Sequence, residues 1–239
     1  MKTELCCFSL SAAKLAEHFK LDRIELCSGF LEGGTTPSLG LVKQVLTACD
    51  HTEVHVMIRP RGGDFTYDKS EIDVCLADIE ILKTYQPSGF VFGALAKDGK
   101  VDILNCQKIV EAAAPFPVTF HRAIDVAVNP LEAVKVIGDL GFRRILSSGQ
   151  QSRAIDGIAL LQLMKDAEPL IEIMAGSGVT AENIDLFKQA GLDAVHFTAK
   201  EFYTSDFTSA SAVNFALDYR GYGRYEPNPE EIKAIIQKI

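Results

Sequence analysis

Residues 117–147, PVTFHRAIDVAVNPLEAVKVIGDLGFRRILS, hold one full turn of the pattern that decides the fold. A β-rich run at 117–121 leads into an amphipathic helix, and a second β-rich run follows at 143–147. Leu131, Val134, Ile137 and Leu140 share one helical face. Asn129 before Pro130 marks the start: the amide side chain caps free N–H groups, and proline at the first position loses no hydrogen bond. Gly141 follows the last apolar residue, where a left-handed conformation ends a helix.

The same unit repeats in both directions. Further strands are predicted at 3–7, 23–27, 54–58, 89–93, 170–174 and 193–197. The seven steps from residue 3 to residue 193 average about 27 residues, the length of one βα unit. Ile72, Cys75, Ile79 and Leu82 line another helix, for which Ser70 with Asp73 reads as a capping box. Thr36-Pro37 reads as a second capped start, and Gly191 as a second stop. Eight such units predict a TIM-type (β/α)8 barrel, an α/β fold of one domain over residues 1–239. A doubly wound open sheet is the runner-up, but Phe8-Ser9-Leu10-Ser11 lacks the glycines of a dinucleotide loop. Residues 199–228 break the rhythm and read as an irregular excursion, with a terminal helix expected at 229–238.

Composition narrows the class. The 239 residues are 47% apolar and 23% charged, so a packed core is expected rather than disorder. Acidic residues (32) exceed basic ones (24), and the net charge of −8 argues against a nucleic acid or an anionic membrane held by overall charge. No apolar run approaches the ~20 residues of a membrane span. MKTELCCFSL lacks the features of a secretory leader, so a cytoplasmic location is expected. The six cysteines are then read as thiols. Adjacent Cys6 and Cys7 point to opposite faces of their strand.

In such a barrel the chemistry sits at the carboxyl ends of the strands. Polar residues collect there: Glu25 and Cys27 on strand 2, Arg59 and Arg61 after strand 3, and His121, Arg122 and Asp125 after strand 5. Ser148-Gly149 follows strand 6, Gly176-Ser177-Gly178 follows strand 7, and His196 lies in strand 8. Glu25, His121 and Asp125 are the acid–base candidates. Arg59, Arg61, Arg122, Ser148, Gly149, Gly176, Ser177 and Gly178 are the anion-binding candidates, through guanidinium forks and a glycine turn entering a helix near Thr180. The competing reading pairs these arginines with Glu25, Asp64 and Asp125 to stiffen the mouth.

IELC, EGGTTPSLG, IRPRGGDF, VTFHRAID, SSGQ and MAGSGVTAENI, in that order, resemble the CutC family of copper homeostasis proteins. The resemblance spans roughly residues 3–198. It implies a TIM-type barrel, a cytoplasmic homodimer and a role in copper homeostasis without fixing a reaction. Cu(I) favours thiolate, thioether and imidazole ligands. No CxxC or MxxM is present, so the fold must gather them. Cys7 and Cys27, near the ends of neighbouring strands 1 and 2, with His55 or His121 as a third ligand, are the candidates for Cu(I). Two other classes stay open. One is a barrel enzyme, or former enzyme, for a small phosphorylated or carboxylated metabolite. The other is a non-catalytic protein whose dimer surface uses Phe202, Tyr203, Tyr219, Tyr222 and Tyr225.

Overall fold

Eight short strands pair in parallel, each with the next and the last with the first. They are β1 Lys2–Cys7, β2 Arg23–Leu26, β3 Glu53–Met57, β4 Gly89–Phe92, β5 Val118–Phe120, β6 Arg144–Ser147, β7 Glu172–Gly176 and β8 Ala194–Phe197. Glu4 of β1 stands opposite both Arg23 of β2 and His196 of β8, which closes the barrel. Seven helices follow the strands: α1 Leu10–His18, α2 Leu39–Ala48, α3 Lys69–Lys83, α4 Ile103–Ala113, α5 Pro130–Asp139, α6 Ile158–Ala167 and α7 Ile184–Gln189. The computed structural model describes residues 1–206 and 223–239. Among these, no helix is long and apolar enough to cross a membrane.

Strand alternation divides the core. Leu5, Ile24, Val56, Phe90, Phe120 and Ile173 point outward and join the apolar faces of the helices in one buried cluster. Each such side chain contributes about 1.5–3 kcal/mol by leaving water. The inward residues are different. Two small apolar groups, Cys27–Met57–Val91 and Leu146–Met174–Ala194, are the only hydrophobic clusters separate from the outer one among the described residues. Beside them lies a charged floor. Arg23 pairs with Glu4 and reaches Glu172 at 3.2 Å. Arg144 grips both oxygens of Glu172, at 2.6 and 3.1 Å, and donates to the Thr119 hydroxyl at 2.9 Å. His55 fits this layer because Gly89 has no Cβ; one built there would lie 2.6 Å from His55 Cε1. Burial first, then the charges of Arg144 and Arg23, pushes the His55 ring down to about 3.

Several boundaries differ from the sequence expectation. Ser38, not Thr36, caps α2, and Pro37 stands just outside it. Asp68 and Glu71 form the capping box of α3 in place of Ser70 and Asp73. β7 starts two residues later than expected because Leu170 is 84% exposed and outside the barrel. Asn183 closes a turn over Thr180, so α7 begins at Ile184. Within the 199–228 excursion, β9 Lys200–Tyr203 and β10 Arg224–Pro227 form an antiparallel ribbon, and α8 Pro229–Ile236 follows. The Tyr225 ring stacks on Phe30 at 4.6 Å, and Glu226 accepts from Ser9, the cap of α1, at 2.7 Å. The rest of that excursion, with Tyr219 and Tyr222, lies outside the described residues.

Two outcomes check this layer. Arg23→Met leaves Glu4 buried without its main partner and is expected to cost about 3–5 kcal/mol in urea unfolding. For His55 the folded value (about 3) is below the ordinary 6.5, so the unfolded chain binds more protons between those values. Stability is therefore expected to fall as pH drops from 6.5 towards 3, and His55→Gln should flatten that part of the melting-temperature profile.

Candidate functional site at the barrel mouth

The inward residues above the floor form a second layer. Cys6 of β1 stands in register with Glu25 of β2, and β8 brings His196 to the other side of β1. The thiol of Cys6 donates to Glu25 Oε2 at 3.5 Å, and the thiol of Cys27 reaches the same oxygen at 3.6 Å. His196 Nε2 lies 3.9 Å from that oxygen, while its Nδ1 is 2.7 Å from Glu4 Oε1. One potential ligand atom each from Cys6, Glu25 and His196 lies within 4.8 Å of the others. Glu4 thus ties the floor to the mouth.

The charges follow from these contacts. The hydrogen bond with Cys27 and the nearby His196 overcome burial and bring the Cys6 thiol down to about 5. Burial, then its bond with Cys6, holds the Cys27 thiol well above its usual value. Burial and the Cys6 charge raise the Glu25 carboxyl. Burial works against charge on His196, but Glu25, Cys6 and Glu4 outweigh it and hold the ring well above its usual value. Burial also opposes ionisation of Glu4, yet Arg23 and His196 keep it well below the carboxylate range. These contacts lower the Cys6 thiol and raise the Cys27 thiol, and they set His196 between the Glu4 carboxyl and the thiol pair.

Cys6, Glu25 and His196 open into a cavity of about 1000 Å³, which is also lined by Arg59, His121 and Arg122. The other sequence candidates are placed as follows. Cys27 reaches the cluster, but Cys7 does not: one residue along the strand, it faces the helices and belongs to the outer apolar cluster. His55 faces inward but lies in the floor, paired across the sheet with Gly89. Arg61 turns away from the mouth to Glu71 and Asp64. Arg122 bonds to Asp125 at 2.8 Å and to Ser148 at 2.9 Å. Asp125 is saturated by Ser147 Oγ at 2.6 Å and the Ser148 N–H at 3.0 Å, which is a structural clamp on the loop after β6. Gly149 is a close-approach residue, since a Cβ there would lie 2.3 Å from Gly157 O. At Gly176 a Cβ would meet Leu146 at 2.5 Å. Ser177 donates to Ser152 O at 2.7 Å, and Gly178 O accepts from Asn183 at 2.7 Å. Beyond them, Thr180 N–H donates to Asn183 Oδ1 at 3.0 Å and Ala181 N–H to Glu231 at 3.1 Å.

Sequence reading passed over Cys6 and did not single out His196 as a ligand. The parity of Glu25 and Cys27 on β2 was readable, but which of Cys6 and Cys7 shares their face depends on the register between β1 and β2.

A parallel eight-stranded barrel with a thiol–carboxyl–imidazole cluster at its carboxyl face defines the class: a TIM-type barrel with a soft-ligand mouth. A model of the CutC family matches residues 1–201, and the chain belongs to that family. It is 44% identical to a "family protein CutC" of Klebsiella pneumoniae (strain 342), covering 98% of this chain and 96% of that protein. It is also 44% identical to the "Copper homeostasis protein cutC homolog" of Mus musculus, covering 92% and 82%. The crystal structure of CutC from Streptococcus agalactiae superposes with a TM-score of 0.77 at 31% identity, covering 82% of this chain and 97% of that one.

The Cys6 environment has a direct readout. In the metal-free protein, iodoacetamide alkylation should include a phase whose pH midpoint is near 5 rather than 9. Cys6→Ser is expected to remove that phase, and Cys7→Ser to leave it.

Proposed function

We propose that the protein takes part in copper homeostasis by binding Cu(I) as cargo at the barrel mouth, through Cys6, Cys27 and His196. The observation that carries this reading is the convergence of two thiols on one Glu25 oxygen, at 3.5 and 3.6 Å, inside the cluster that also contains His196. Two sulfur donors and an imidazole suit a soft monovalent ion, while a single carboxylate is a poor site for a hard divalent one. The Cys6 thiol is shifted down to about 5, which eases its deprotonation on ligation. Cys27, whose thiol is raised, must release its proton to ligate, so binding should strengthen as pH rises. The names of the relatives support the same role. The cytoplasmic location and the homodimer implied by the sequence resemblance belong to this proposal, and light scattering of the purified protein tests the dimer.

An anaerobic Cu(I) titration against a competing chelator tests the site. One ion per chain is expected, with at least about tenfold weaker binding in Cys6→Ser and in Cys27→Ser, since each loses a sulfur ligand. Cys7→Ser should match the parent. Binding that is unchanged in both site variants overturns the proposal.

A further inference from the structure

The inward group of Cys27, Met57 and Val91 has Cys6 and Phe8 packed against it. Three of these five side chains carry sulfur, two as thiols and one as a thioether. Strand pairing sets the three on consecutive strands. Cys6 faces inward on β1, and Cys27 faces inward just past the end of β2. β2 and β3 pair through Glu25 with His55 and Leu26 with Val56, so the next step sets Cys27 beside Met57, the last residue of β3. Met57 is two residues from His55 and shares its inward face. It lines the mouth cavity together with Cys6. Its neighbour on the other side, Val91 of β4, offers no donor atom.

The loop after β2 brings the Cys27 and Met57 side chains to one point. Gly34 has a φ of +96°, and a Cβ built on it would lie 3.2 Å from Cys27 Sγ and 3.7 Å from Met57 Cε. The other methionines have different surroundings. Met174 Sδ accepts from Arg23 Nη2 at 3.6 Å in the charged floor, and Met1 and Met164 pack on the outer core. A thioether is a soft donor that carries no charge and has no proton to lose. In a layer that already holds the Glu4 and Glu25 carboxyls, it adds a ligand for a soft ion without adding negative charge.

We infer that Met57 is a thioether ligand of the Cu(I) site, in a row of sulfur donors with Cys6 and Cys27. This inference rests on the copper reading and adds a residue to it. Phe8 and Val91 wall the row with apolar surface, which suits a soft ion held by sulfur rather than a hydrated hard one.

The test uses the full chain labelled with selenomethionine and loaded anaerobically with one Cu(I) per chain. Selenium-edge X-ray absorption should show a copper neighbour at bonding distance for one of the four methionines. Met57→Leu, a volume-conserving change that cores tolerate, should abolish that signal. It should also weaken Cu(I) binding about tenfold in the chelator titration, the low end for a lost metal-site contact. Met164→Leu should change neither. A parent protein that takes up no Cu(I) overturns this inference and the copper reading together. Cu(I) held by the parent without a selenium–copper neighbour, or held with parent-like affinity by Met57→Leu, overturns the Met57 assignment and leaves the two-thiol site standing.

Discussion

The Glu4 carboxylate is the contact on which the rest of the barrel interior turns. It is 1% exposed, and its two oxygens are divided between Arg23 below and His196 above. An ionised carboxylate in such a place is tolerated only when paired and hydrogen-bonded. Arg23 passes the charge to Glu172, which Arg144 clamps in turn. The floor is therefore one connected ion network, and its upper end sets the orientation and charge of the one imidazole in the thiol cluster. Stability and site chemistry are coupled through a single side chain.

Glycines shape the space around the imidazoles. Gly89 admits His55, Gly93 admits His121 and Gly176 lies against His196. The three rings nevertheless have different fates. His55 and His121, buried near arginine charge, are pushed down, whereas His196 faces carboxyl groups and a thiol and is pushed up. Burial favours the neutral form of all three rings, and only at His196 do Glu25, Cys6 and Glu4 together outweigh it.

The arginines at the mouth separate in the same way. Arg61 pairs with Asp64 and Glu71, and Arg122 with Asp125, so both brace loops; the sequence reading named Asp64 and Asp125 but not Glu71. Arg59, two residues from Arg61 and separated from it by Pro60, turns inward and finds only carbonyls.

The βα rhythm, the positions of all eight strands to within a few residues, and the polar character of one barrel end were legible in the sequence, because strand alternation, helix periodicity and caps are local. So was the shared inward face of Glu25 and Cys27, two residues apart on one strand. Local signals could not choose between Cys6 and Cys7. That choice belongs to the register in which β1 closes against β2 and β8, which sets Cys6 beside Glu25 and Glu4 beside His196. Neither could they show that Asp125 is saturated or that Glu231 reaches the loop after β7, since those partners lie 22 and 50 residues away in the chain. The sequence alone determined the barrel and its reactive end, through spacings within single elements; tertiary structure decided which side chains meet there, because a one-residue change of register exchanges the two faces of a strand.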